Sequence, residues 1–329
     1  MSHFPTTRLR RLRQHPGIRD LVREHELSPN DFVYPLFIKE GKGLRLPIPS
    51  MAGQFQLSVD RLEDEIAEIT QLGIKAVLLF GIPKNKDPQG KCSWSKQGII
   101  QQAIRKIKSL NSELLVIADV CFCEFTDHGH CGVIKKQGDA FELDNDATLI
   151  NLAKQAVSFA EAGADVVAPS GMIDGMVGAV RQALDKAGFC NTPILSYSVK
   201  YASALYGPFR EAAEGAPQFG DRRSYQMDCA DGDAAYREVD LDLEEGADML
   251  MVKPASYYLD VIYRIKQAYP GVPLCAYQVS GEYAMIKAAS DNGWLDHDKV
   301  MYESLLAMKR AGADFIITYF AKSVCNMLN

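Results

Sequence analysis

One phrase recurs four times along the chain: QLGIKAVLLFG at 71–81, EAGADVVAPS at 161–170, EEGADMLMVKP at 244–254 and RAGADFIITYF at 310–320. In each copy an amphipathic stretch ends in glycine, a small or polar residue or two follow, and a short apolar run begins. Such a junction is a helix stopped by a residue that tolerates positive φ and fed straight into a buried strand. Gly73, Gly163, Gly246 and Gly312 hold that place. Four copies of one helix-to-strand junction predict an α/β repeat.

Apolar runs predict eight strands, at 32–38, 76–80, 114–120, 166–168, 194–199, 249–252, 274–279 and 315–319. Most are continuous in Val, Ile and Leu rather than alternating, the pattern of parallel strands covered on both faces. Helical periodicity fills 61–72, 149–162, 257–268 and 299–311. Eight such units fit a closed (β/α)8 TIM barrel. A doubly wound sheet would place a G-x-G-x-x-G turn after its first strand, and KEGKGLRLP there lacks the spacing. The barrel is the expected fold, with residues 31–329 as one catalytic domain. Residues 1–30 are basic, carry Pro5 and Pro16, and hold one short helical stretch at 17–25. They read as an extended N-terminal arm supported by another surface. The Gly/Pro/Arg-rich segment at about 207–232 reads as a lid, since loops of that length in compact domains are usually functional.

Composition narrows the function. With 36 Lys+Arg against 42 Asp+Glu, the chain is mildly acidic, which argues against a nucleic-acid partner. No apolar run approaches the ~20 residues that span a bilayer, so no membrane partner is expected. The basic N-terminus has no apolar core behind it and does not read as a secretory signal. Eight cysteines are far too few for a disulfide scaffold, yet three lie within eleven positions. A reduced, cytoplasmic protein is expected.

Chemistry in a barrel sits where the strands end. The third predicted strand runs into Asp119 and then Cys121, Cys123 and Cys131, a C-x-C-x7-C pattern that no ordinary zinc finger shows. Buried cysteine is often only a small hydrophobe. Three of them flanked by Glu124, Asp127, His128 and His130 suit Zn2+ better, with a fourth coordination position left open for catalysis. The two histidines are expected around the ligands, not among them. Asp119 is a candidate proton carrier. Lys200 and Lys253 stand at the ends of the fifth and sixth strands. A lone strand-end lysine is usually a solvated charge, but two on neighbouring strands lower each other's pKa and point to Schiff-base chemistry on a carbonyl substrate. Arg210, Arg222 and Arg223 on the lid could clamp carboxylates, although one of them can be a solvated loop charge. Ser280 and Tyr319 follow the seventh and eighth strands. Tyr197, Tyr206, Phe209 and Tyr277 read as pocket walls.

Together DVCFCEFTDHGHCG, SYSVKYASALYGPFREAA, GDRRSYQM, MLMVKPASYYLD and YQVSGEYAM resemble the 5-aminolevulinate dehydratase (porphobilinogen synthase) family, over nearly the whole chain. The resemblance implies a hydro-lyase of porphyrin and heme biosynthesis. Such an enzyme condenses two molecules of 5-aminolevulinate to porphobilinogen, with loss of water, in a homo-octamer joined through N-terminal arms. It implies that Lys253 forms a Schiff base with the first substrate, whose carboxylate sits on Ser280 and Tyr319. Lys200 would carry the second, with Arg210 and Arg222 on its carboxylate and Asp119 in the chemistry. Tyr197, Gln226 and Tyr277 join the substrate-binding set. Cys121, Cys123 and Cys131 resemble the zinc-dependent branch, whereas other members have acidic residues there and use magnesium or a monovalent ion. Glu238 resembles the allosteric Mg2+ ligand of many bacterial members. Two departures stand out: Ser170-Gly-Met-Ile-Asp-Gly-Met176 replaces a common S-D-M-M-D-G-R, and Ser224 stands where some relatives have cysteine. A class I aldolase would need one lysine and no zinc, and a zinc-storing barrel would need neither lysine.

Overall fold

A computed structural model describes residues 3–138 and 140–329. Eight parallel strands alternate with helices: β1 (Phe32–Lys39), α1 (Leu62–Gln71), β2 (Ala76–Ile82), α2 (Ile99–Leu110), β3 (Leu115–Val120), α3 (Asn145–Ala162), β4 (Val166–Pro169) and α4 (Met176–Lys186). The second half is β5 (Leu195–Lys200), α5 (Ala234–Glu244), β6 (Met249–Lys253), α6 (Leu259–Ala268), β7 (Leu274–Gln278), α7 (His297–Ala311), β8 (Phe315–Thr318) and α8 (Ala321–Leu328). Their spatial order is β4-β3-β2-β1-β8-β7-β6-β5. A parallel bridge between Val167 and Ile194 joins β4 to β5 and completes the ring, so the chain is the expected (β/α)8 barrel.

The strands are buried on both faces. All seven residues of β2 and all six of β5 are enclosed, which is why their sequences lack polar alternation. The helices pack an apolar stripe onto this wall; α2 buries Ile100, Ala103, Ile104 and Ile107, spaced as one helical face. The four junction glycines have φ of 77°, 101°, 103° and 117°, the left-handed conformation that ends each helix before a strand. At Gly312 a Cβ would also lie 2.8 Å from the Lys266 side chain.

Several additions depart from the plain repeat, among them the antiparallel pairs Arg45–Pro47 with Phe55–Leu57 and Ile134–Gln137 with Ala140–Leu143. A helix spanning Ser280–Asp291 follows β7 directly, ahead of α7. The predicted lid begins as a helix, Gly207–Ala212, and is irregular to Asp233. Of the predicted arm, Met1 and Ser2 lie outside the described residues, and residues 3–26 contain no buried side chain. Their short helix is Pro16–Leu21. One irregularity bears on the site. Between the pairs Ser196–Leu250 and Val199–Val252, β5 spends one residue more than β6, and Lys200 then pairs with Lys253.

Candidate active site

The turn after β3 folds back on itself and gathers its three cysteines. Cys121, Cys123 and Cys131 are buried, their sulfurs lie within 4.8 Å of one another, and Cys121 and Cys123 are 3.5 Å apart. Gly129, at φ 71°, lets the chain return; a Cβ there would collide with the Ala216 carbonyl at 2.2 Å. Hydrogen bonds from Cys121 and Cys123 hold the Cys131 thiol well below its ordinary pKa, and the charges of Arg222 and Lys200 assist. Three soft sulfur donors converging in one buried spot fit Zn2+, and the carboxylates of Asp119 and Glu124 lie within 4.8 Å of the Cys121 sulfur. His130 lies outside this sulfur group. Its ring nitrogens meet the Tyr225 hydroxyl at 3.1 Å and the Phe219 carbonyl at 3.0 Å.

Beside the cysteines lies a cavity lined by Asp119, Glu124, Ser170, Lys200, Arg222 and Lys253. Lys200 and Lys253 are the terminal residues of their strands and occupy the same rung of the sheet. Lys253 Nζ lies 4.1 Å from the Tyr277 ring centroid and 5.1 Å from that of Tyr197. Phe209 and Tyr206 complete its surroundings at 5.2 and 5.5 Å. Burial in this aromatic shell, aided by the charge of Lys200, pulls the Lys253 amine down to about 7. Lys200 Nζ instead donates to the Ser170 carbonyl at 2.5 Å. Asp119 accepts from the Ser170 hydroxyl at 3.0 Å, and burial raises its carboxyl pKa against the pull of both lysines.

The remaining polar residues take distinct positions. Tyr277 and Tyr319 bring their hydroxyls to 3.2 Å of each other. Ser280 accepts from the Phe209 amide at 2.9 Å, which ties its helix to the start of the lid. Arg222 is buried and donates to the carbonyls of Gly129 and Gly215 at 2.9 and 2.7 Å. Its Nε, like that of Arg210, has no partner. Arg223 is the solvated charge of the three, paired with Asp221 at 2.6 Å.

A sequence profile of the delta-aminolevulinic acid dehydratase family matches residues 6–327. The chain belongs to that family. It is 55% identical over 322 residues to the delta-aminolevulinic acid dehydratase of Halalkalibacterium halodurans, covering 98% of this chain and 97% of that one. To the dehydratase of Synechocystis sp. it is 54% identical over 325 residues, 99% of each. The solved structure of the Toxoplasma gondii dehydratase (porphobilinogen synthase), in complex with the reaction product porphobilinogen, superposes with a TM-score of 0.94 at 42% identity. That match covers 98% of this chain and 91% of that one.

Within this dehydratase barrel, Asp119, Cys123, Lys200, Arg222 and Lys253 of the residues expected from the sequence line the lysine cavity, with Tyr197 and Tyr277 against Lys253, whereas Gln226 and Glu238 lie elsewhere. Gln226 and Glu238 line an adjoining cavity with Glu142, Asn145, Asp174 and Tyr225. Both amide atoms of Gln226 are buried without a partner. Burial, together with neighbouring Asp242 and Asp174, raises the Glu238 carboxyl pKa. The sequence reading gave no role to Ser170 or Glu124, although Ser170 directly follows β4. The rule that strand ends carry the chemistry already pointed to it.

Proposed function

We propose that this dehydratase condenses two molecules of 5-aminolevulinate to porphobilinogen through Schiff bases on Lys253 and Lys200. The observation that carries the reading is the rung shared by two buried lysines, facing one cavity beside three converging cysteines. The Lys253 amine, about half neutral near pH 7, attacks the keto carbon of the first substrate and water leaves as the imine forms. The Ser280 and Tyr319 hydroxyls hold that substrate's carboxylate, and Tyr197 and Tyr277 wall it in. Lys200 carries the second substrate, whose carboxylate goes to the guanidinium forks of Arg210 and Arg222. Asp119, held by Ser170, moves protons between the two. With both substrates tethered on one rung, bond formation becomes effectively intramolecular.

Cys121, Cys123 and Cys131 hold Zn2+, which when bound supplies Lewis-acid polarisation or an anchor for an amino group. Glu238, among like charges that a divalent cation would relieve, is the Mg2+ contact. Residues 207–232 act as the lid. The N-terminal arm, with Phe4, Leu9, Leu12, Leu21 and Val22 exposed, packs on neighbouring subunits of a homo-octamer. Such clustered free thiols suit the reducing cytoplasm. Borohydride reduction with labelled 5-aminolevulinate, followed by peptide mapping, tests the core of this proposal. Label on Lys253 and Lys200 supports it, and label on neither overturns it.

A further inference from the structure

Among the described residues, Met172 and Glu214 are the two other than glycine with a left-handed backbone. Glu214, at φ 51°, stands between Arg210 and Arg222 on the long segment over the barrel mouth. A residue with a side chain keeps that conformation only where its surroundings hold it there. Here three parts of the barrel mouth do so. The Glu214 carboxylate pairs with Lys39, the last residue of β1, and accepts from the buried Gln56 amide at 3.2 Å. The same Gln56 nitrogen donates to the Ala212 carbonyl at 2.8 Å. Lys86, in the turn after β2, donates to the Glu214 carbonyl at 2.5 Å.

The next residue passes this anchorage to both arginines. The Gly215 amide donates to the Arg210 carbonyl at 3.1 Å, and the Gly215 carbonyl accepts from Arg222 at 2.7 Å. Gly215 also lies so close to the cysteine turn that a Cβ there would sit 2.9 Å from the Cys123 carbonyl. A shift at Glu214 therefore moves the arginines together. The start of the segment has a separate tie, from the Phe209 amide to Ser280, on the side of Lys253. We infer that Glu214 is a positioning residue whose ties to Lys39, Gln56 and Lys86 set the place of Arg210 and Arg222, and with it the affinity for the substrate carried on Lys200. This rests on the reading that those two arginines hold that substrate's carboxylate.

The test measures half-saturation for borohydride trapping of labelled 5-aminolevulinate on Lys200 and on Lys253 separately, in the wild type, Glu214→Gln and Glu214→Gly. Glycine takes positive φ freely, so Glu214→Gly removes the carboxylate without straining the backbone and is expected to melt within about 2 °C of the wild type. In both variants half-saturation on Lys200 should rise about fivefold, the scale of one part-exposed ion pair. Half-saturation on Lys253 and turnover at saturating substrate should hold. Exchanging the charges, Lys39→Glu with Glu214→Lys, should recover part of the loss. An unchanged half-saturation on Lys200, or an equal rise at both lysines, overturns the inference, because a residue that only stabilises the fold gives one or the other. A wild type that carries no label on Lys200 overturns the function reading, and the inference falls with it.

Discussion

Lys253 and Lys200 share one rung of the barrel and live in opposite surroundings. Lys253 is enclosed by four aromatic rings, and its amine is pulled down to about 7. Lys200 reaches a backbone carbonyl, that of Ser170, on the side of Asp119 and the cysteines. The sheet therefore sets where the two amines stand, and the neighbouring loops set what each one does. An apolar shell favours a neutral amine, as the proposed mechanism asks of Lys253, and the polar shell beside the cysteines suits the second reactant it proposes for Lys200.

The sharpest way to break this contrast is to remove each amine in turn. Lys253→Ala and Lys200→Ala should each lower turnover by about ten-thousandfold or more, the scale on which loss of a covalent group is felt. Only Lys200→Ala should still trap one labelled substrate, on Lys253. Label on Lys200 in Lys253→Ala, with none on Lys253 in the other variant, would reverse the two duties.

Metal removal should separate the two sides next. Chelation, or Cys123→Ala, is expected to abolish turnover while one equivalent of label still attaches to Lys253. Zinc affinity should fall as pH drops, because the thiols must lose protons to bind. Loss of all trapping without metal would mean that both lysines depend on it.

A smaller effect is the pH profile of the first imine. An amine attacks only when neutral, so trapping on Lys253 should rise with pH and reach half its maximum near pH 7. Opening its shell with Tyr277→Leu should move that midpoint upward, and an unmoved midpoint would show that the aromatic shell does not set it.

Stability gives the last and smallest test. The unfolded lysine titrates near 10.5 and the folded one near 7, so the unfolded state binds more protons between those values. Stability contributed at this position should rise with pH across that window, and below it the buried cation should be fully destabilising. Lys253→Met, inactive, should therefore melt roughly 3 °C or more higher at pH 6, with the gain shrinking toward pH 10. Equal gains at both values would place the effect in packing and not in charge.

The barrel was legible because its cause is local: the glycine junctions and unbroken apolar strands are written into short stretches of chain. The lysines and cysteines were legible because they sit at strand ends, where position alone implies convergence. The helices α2 and α5 were harder to see, since the polar residues Gln101 and Asp242 interrupt their buried faces. Gln101 is enclosed because it donates to Ser93 and Ser158, partners that no periodicity reveals. The placement of Gln226 with Glu238, away from the lysines, depends on how an irregular segment folds over the mouth. Nothing in GDRRSYQM specifies that path.

The extra residue in β5 decides which way a lysine faces. Side chains on a strand alternate between inside and outside, so residues an odd number of steps apart fall on opposite faces. Ser196 points outward to Asp242 of α5, at 2.6 Å, and Tyr197 points inward beneath both amines. By strict alternation Lys200, three steps from Tyr197, belongs outside the barrel among the helices. The irregularity before Val199 resets the parity and returns it to the chamber. Deleting Ser198 would leave Lys200 two steps from Tyr197, still facing inward by plain alternation, whereas keeping Ser198 and regularising the strand would turn the second amine to the wrong side of the wall. The reaction thus depends on a count of residues as much as on their kinds, much as a reading frame does.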